Sequence, residues 1–231
     1  MKTLGIIGGI GPGSTIDYYQ TIIELYRSGK NDGSYPPIFI NSIDLRRMLA
    51  TVGAGELNAL TEWLLSELEK LARAGADFAI LASNTPHIVF NDIAARSALP
   101  LISIVEKTCE VAKARGLKRL ALFGTRFTMR GTSYRDVFSK QDIAVVVPEP
   151  ADLDYIHAKY MSELVDGIFL PETRAGLLTV VDRMAEQSKI DGVILGGTEL
   201  PLILRDPTHN GIPLLNTTRI HCEAAVERMF S

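Results

Sequence analysis

The sequence predicts an α/β protein built from two pseudo-symmetric α/β domains with mainly parallel sheets. Three observations predict it. Short β-branched runs alternate with long amphipathic segments, one strand pattern recurs at nearly constant offset, and 46% of the 231 residues are hydrophobic. That much apolar surface supports a genuine core in one large domain or two small ones.

The strand candidates are short, apolar and bounded by turn residues. In order they are Leu4-Gly5-Ile6-Ile7, Pro37-Ile38-Phe39-Ile40, Phe78-Ala79-Ile80-Leu81, Leu120-Ala121-Leu122-Phe123, Ile143-Ala144-Val145-Val146-Val147 and Val193-Ile194-Leu195. All six read as buried strands. Between them lie helical patterns, the clearest running from Leu57 to Ala74. There Leu60, Leu64, Leu68 and Leu71 share one face, and Gly75 sits where a C-terminal cap glycine belongs. Strands separated by helices of this length argue for βαβ units and parallel pairing.

The recurrence is specific. Lys2-Thr3-Leu4-Gly5-Ile6-Ile7-Gly8 resembles Lys118-Arg119-Leu120-Ala121-Leu122-Phe123-Gly124, at 118 − 2 = 116. Asp77-Phe78-Ala79-Ile80-Leu81-Ala82-Ser83 resembles Asp191-Gly192-Val193-Ile194-Leu195-Gly196-Gly197, at 191 − 77 = 114. Two copies of one unit are expected, residues 1–100 with 217–231 in the first and residues 101–216 in the second. Ser83 and Gly197 are then symmetry mates where strands end, the usual ligand location in open α/β sheets.

Charge and composition exclude several classes. The net charge of −3 and the absence of a basic run leave no footprint for nucleic acid. No apolar stretch reaches the length of a membrane span, and glycines break the N-terminal apolar run too early for a signal peptide. Two cysteines, Cys109 and Cys222, are too few for a disulfide framework, and each lies on an apolar helix face. The expectation is a cytoplasmic protein with no nucleic-acid or membrane partner, assembled as a homodimer. The four histidines are scattered without metal-ligand spacing.

Three junctions carry the chemistry. Gly8-Gly9-Ile10-Gly11-Pro12-Gly13-Ser14-Thr15 reads either as a tight turn or as a small-anion site, with Ser14 or Thr15 capping the next helix. It lacks the acidic residue of a dinucleotide fingerprint and the lysine of a P-loop. Ser83-Asn84-Thr85-Pro86-His87 offers two hydroxyls, an amide and an imidazole, suited to helix capping or to cradling a carboxylate. Gly196-Gly197-Thr198-Glu199 places Thr198 as a hydroxyl donor and Glu199 as an acid/base candidate or a solvated first-turn carboxylate.

These segments are similar to the aspartate/glutamate racemase superfamily, in its aspartate racemase-like branch. The similarity spans Gly8-Gly9-Ile10, Ser14-Thr15, Tyr18-Tyr19, the segment from Ser83 to His87, and Leu122-Phe123-Gly124-Thr125-Arg126-Phe127-Thr128-Met129. It continues through Gly197-Thr198-Glu199-Leu200 to Pro213 and Asn216-Thr217-Thr218-Arg219-Ile220-His221. The resemblance implies two similar domains with the active site in the cleft between them, no cofactor (neither pyridoxal phosphate nor metal), and a small carboxylate or amino acid as ligand. It also implies two opposed cysteines as acid and base, and here Ser83 and Gly197 stand at those positions. A serine hydroxyl is a far weaker acid than a thiol, and glycine supplies nothing.

Ordinary two-cysteine racemisation is therefore not expected. Ser83, His87 and Glu199 become the candidate proton carriers, and Ser14, Asn84, Thr85, Thr125, Thr128, Gly197 and Thr198 the binding shell. Arg46 or Arg47 is the candidate for a distal carboxylate. Lyase, decarboxylase or isomerase chemistry on a small carboxylic acid is the alternative, and a non-catalytic carboxylate binder is the alternative outside enzymes.

Overall fold

The computed structural model describes residues 1–30 and 32–231. Its contacts divide the chain into two compact units, Met1–Ile104 with His221–Ser231, and Val105–Ile220.

The first unit runs β1 (Leu4–Gly8), α1 (Pro12–Gly29), β2 (Ile38–Ser42), α2 (Leu45–Gly53), α3 (Leu57–Ala74), β3 (Phe78–Leu81), a 3-10 segment (Thr85–Val89), α4 (Phe90–Arg96) and β4 (Leu101–Ile102). Its sheet has the order β2-β1-β3-β4, with every pairing parallel. The helix α5 (Ile104–Ala114) leads into the second unit. There follow β5 (Arg119–Gly124), α6 (Arg126–Arg130), α7 (Ser133–Ser139), β6 (Ala144–Val146), α8 (Pro150–Ser162), α9 (Pro171–Ser188), β7 (Gly192–Gly196), α10 (Leu200–Ile203), β8 (Thr208–His209) and β9 (Ile212–Asn216). The second sheet is β6-β5-β7-β9-β8, parallel except for the β8–β9 pair. The last helix, α11 (Thr217–Phe230), begins in the second unit and ends in the first.

Both sheets place their central strands in one order, β1 beside β3 and β5 beside β7. The same clamp holds each pair. Thr3 N–H donates to Asp77 Oδ2 at 2.6 Å, and Asp77 N–H returns a bond to the Thr3 carbonyl at 2.9 Å. Arg119 N–H donates to Asp191 Oδ1 at 2.9 Å, and Asp191 N–H donates to the Arg119 carbonyl at 2.8 Å. The helices before β3 and β7 also end alike. Gly75 closes α3 in the left-handed region at φ +99°, and Lys189 closes α9 there at φ +52°. A Cβ disfavours that conformation, so the lysine holds at a cost what the glycine holds freely.

Helix α3 spans the expected residues, and Leu60, Leu64, Leu68 and Leu71 are all buried. Against α1 and the end of α11, the first sheet builds a core of Leu4, Ile6, Tyr18, Ile22, Phe78, Ile80, Cys222 and Met229. Two runs expected as buried strands are edges instead. Strand β2 leaves Phe39 and Ile40 exposed, and β6 leaves Ala144 exposed with Val145 and Val146 half-buried. A terminal strand has one neighbour, so its apolar run need not be covered on both faces. Strand β9, which carries Pro213 beside the two-residue β8, was not among the expected strands; proline inside a run argues against a central strand. No helix among the described residues is long and apolar enough to cross a membrane.

Candidate functional site

In the first unit, two strand ends meet where β1 and β3 stop. Gly9 takes φ +82°, and a Cβ there would lie 2.3 Å from the Ile43 carbonyl oxygen, so only glycine fits this turn. Thr15 Oγ1 accepts from Gly9 N–H at 2.9 Å and donates to the Gly11 carbonyl at 3.1 Å. Ser14 is fully buried and donates to the same carbonyl at 2.9 Å. Neither caps α1 as expected. The N-cap is Gly11, and both hydroxyls lie inside the first turn, bonded back to it.

After β3, Ser83, Asn84, Thr85 and His87 are all buried. His87 corrects its expected role as a proton carrier. Its Nε2 accepts from Ile104 N–H at 3.3 Å, which leaves the proton on Nδ1, and Nδ1 donates to the Ser83 carbonyl at 3.0 Å. Burial, and secondarily the neighbouring His221, push its pKa down to about 3. A neutral ring with both nitrogens bound to backbone cannot act as base for the Ser83 hydroxyl. It positions the Ser83 loop.

Behind it stands a second buried imidazole. His221 Nε2 donates to the Ile102 carbonyl at 2.9 Å, so its Nδ1 accepts from the Tyr18 hydroxyl, also at 2.9 Å. Its ring lies edge-on to His87 with centroids 6.3 Å apart, and burial lowers its pKa to about 4. Sequence reasoning passed over Tyr18 and His221 as functional residues. The available signal was their presence in the segments that carry the family resemblance.

The basic pair after β2 separates. Asp44 caps α2 by accepting from the backbone N–H groups of Arg46 and Arg47. The Arg47 guanidinium lies over the Trp63 ring, 4.2 Å from its centroid, and both arginines are exposed.

In the second unit, Thr125 caps α6 by accepting from Thr128 N–H at 3.2 Å, and the two hydroxyls are 3.1 Å apart. Arg126 N–H donates to His157 Nδ1 at 3.1 Å. Burial, followed by the Arg126 charge, lowers the half-buried His157 below its ordinary pKa.

After β7, Thr198 and Glu199 are buried, 1% and 3% exposed. Thr198 Oγ1 donates to Glu199 Oε2 at 3.0 Å, and the Tyr160 hydroxyl donates to the same oxygen. Glu199 is thus a buried, doubly bonded carboxylate and not a solvated one. Tyr160 shares the inward face of α8 with Leu153 and Ile156, and Arg183 binds Asp152 Oδ2 at 2.6 Å, anchoring that helix to α9. A Cβ at Gly197 would lie 2.4 Å from Tyr160 Cε2 and 2.9 Å from its hydroxyl oxygen. The ring fills the place a side chain at 197 would take. Tyr160 was missed because its partners are 37 and more residues away in sequence; a tyrosine on an apolar helix face, which needs a buried partner, was the signal.

Cys109 and Cys222 are buried, 3% and 0% exposed, in the helix faces expected for them. No group of three or more His, Cys, Asp or Glu suited to a metal ion occurs among the described residues.

Comparison with known proteins places this fold. The family described as Asp/Glu/hydantoin racemase matches residues 7–225. A candidate Asp/Glu racemase from Yersinia pestis superposes with a TM-score of 0.88 at 29% identity, covering 100% of both chains. An aspartate racemase homologue from Pyrococcus horikoshii superposes at 0.83 with 30% identity, again over 100% of both chains. The broad specificity amino-acid racemase RacX of Bacillus subtilis is 22% identical over 230 residues, 96% of each chain.

Proposed function

The chain belongs to the Asp/Glu/hydantoin racemase family, and we propose that it binds a small carboxylate or amino acid without a cofactor, by chemistry other than two-thiol racemisation. One observation carries the reading. The two central strands, β3 and β7, end at equivalent positions in buried polar residues: Ser83, Asn84 and Thr85 in one unit, Thr198 and Glu199 in the other. Buried hydroxyl, amide and carboxylate groups at the carboxyl ends of central parallel strands mark ligand positions in open α/β sheets.

In this reading Ser83 and Gly197 occupy the positions of the two cysteines. Asn84, Thr85, Thr125, Thr128 and Thr198 orient the ligand, Ser14 fixes the first turn of α1, and Arg46 or Arg47 is the cation for a distal carboxylate. Glu199 is the acid/base group. Tm shifts with aspartate, glutamate, alanine and their D-forms test the reading, since a ligand at 100 times its Kd stabilises by about 2.7 kcal/mol. No shift with any of them removes it. A shift without proton exchange on the bound acid leaves a binding protein.

A further inference from the structure

The side chain that residue 197 lacks has a replacement in space. From α8, the Tyr160 ring enters the volume beside Gly197, its Cε2 2.4 Å and its oxygen 2.9 Å from where a Cβ would stand. The hydroxyl is not a chance neighbour. It donates to Glu199 Oε2, which also accepts from Thr198 Oγ1 at 3.0 Å. A polar atom stands where the second thiol would, with the Glu199 carboxyl group behind it. Building on the carboxylate-binding reading, we infer that Tyr160 and Glu199 form a proton-transfer dyad that takes the place of the second cysteine.

Burial, then the neighbouring Glu199, holds the phenol well above its ordinary pKa, so at rest Tyr160 keeps its proton and donates it to Glu199 Oε2. The step it supports is a coupled one. The α-C–H bond of the bound acid breaks and its proton passes to the Tyr160 oxygen, while the Tyr160 proton passes to Glu199 Oε2. The electron pair stays on the α-carbon, delocalised into the substrate carboxylate. Turnover requires that this proton leave the buried Glu199 for solvent before the reverse transfer, which then returns a solvent-derived proton to the same face. Ser83 has no imidazole to activate it, because both His87 nitrogens are bound to backbone. Because the proton leaves and returns through the same Tyr160 oxygen, the outcome is exchange with retention, not racemisation.

The test supplies each enantiomer of aspartate, glutamate and alanine separately to the full chain in heavy water. Loss of the α-proton signal is followed by NMR and configuration by chiral chromatography. The expected result is wash-out from one enantiomer of a binding amino acid, with configuration retained. Tyr160→Phe keeps the ring beside Gly197 and removes the hydroxyl; it should slow wash-out by at least about 100-fold while the Tm shift with the same amino acid persists. Glu199→Gln should slow it likewise, and Cys109→Ala should leave it unchanged. Undiminished wash-out in Tyr160→Phe, wash-out with inversion at equal rate, or no wash-out of an amino acid that shifts the Tm each overturns the dyad. In the last case the binding reading survives alone. A panel that produces no Tm shift removes the reading and the dyad together.

Discussion

Tyr160 and Gly197 are complementary: the tyrosine ring occupies the volume a side chain at 197 would need, 2.4 Å from the Cβ position. Gly197→Ala must therefore displace a ring that is 95% enclosed, given its 5% exposure. Overpacking of this kind costs about 1–3 kcal/mol, read as a lower urea midpoint at unchanged slope. Combining Gly197→Ala with Tyr160→Ala should cost less than the sum of the two single changes. Strict additivity would mean the residues do not compete for space.

The same relationship governs attempts to restore thiol chemistry. The unmodified chain should racemise free aspartate and glutamate little or not at all, with no thiol at 83 or 197 and both His87 nitrogens bound to backbone. Ser83→Cys with Gly197→Cys should remain poor while Tyr160 fills the second thiol's place. Adding Tyr160→Ala should raise two-way exchange above that of the double variant. Equal activity with and without the Tyr160 change would remove the steric argument.

Stability should fall in mild acid. His87 and His221 are buried and neutral, with folded pKa values of about 3 and about 4 against 6.5 for an ordinary imidazole. Below pH 6.5 the unfolded chain binds protons that the folded chain does not, so unfolding free energy drops as pH falls. Each ring loses about 2 kcal/mol between pH 8 and pH 5, about 4 kcal/mol together. His157, lowered for the same reason, acts in the same direction. Urea midpoints measured across that range, above the carboxylate titrations, check the sign. A flat profile down to pH 5 would show that the rings are not neutral in the fold.

Lys189 holds the left-handed C-terminus of α9 at φ +52°, where its counterpart Gly75 closes α3. Lys189→Gly should raise stability by about 1 kcal/mol, a Tm gain of about 2–4 °C for a chain of this size. The reverse change, Gly75→Lys, should lower stability by a similar amount. A loss of stability in Lys189→Gly would mean that the lysine side chain contributes more than its backbone conformation costs.

Periodicity and local turn chemistry determined a good deal by themselves. Strand Phe78–Leu81, helix Leu57–Ala74 and its glycine cap are local patterns, and the α/β class follows from their alternation. The recurrence at offsets of 116 and 114 marks positions that carry the same aspartate clamp in both sheets, because the clamp joins residues inside the repeated pattern. Buried polar positions at Ser83, Asn84, Thr85, Thr198 and Glu199 were legible from where their strands end. What only the tertiary structure decided concerns groups brought together from distant sequence. That Phe39 and Ile40 lie exposed depends on β2 having one neighbour, a property of sheet order. Whether His87 carries protons depends on Ile104 and the Ser83 carbonyl claiming its two nitrogens. Whether residue 197 is an empty position depends on α8, whose helical spacing turns Tyr160 inward onto a glycine 37 residues further along the chain. Hydrogen-bond partners and excluded volume are set by packing, and no local pattern encodes them.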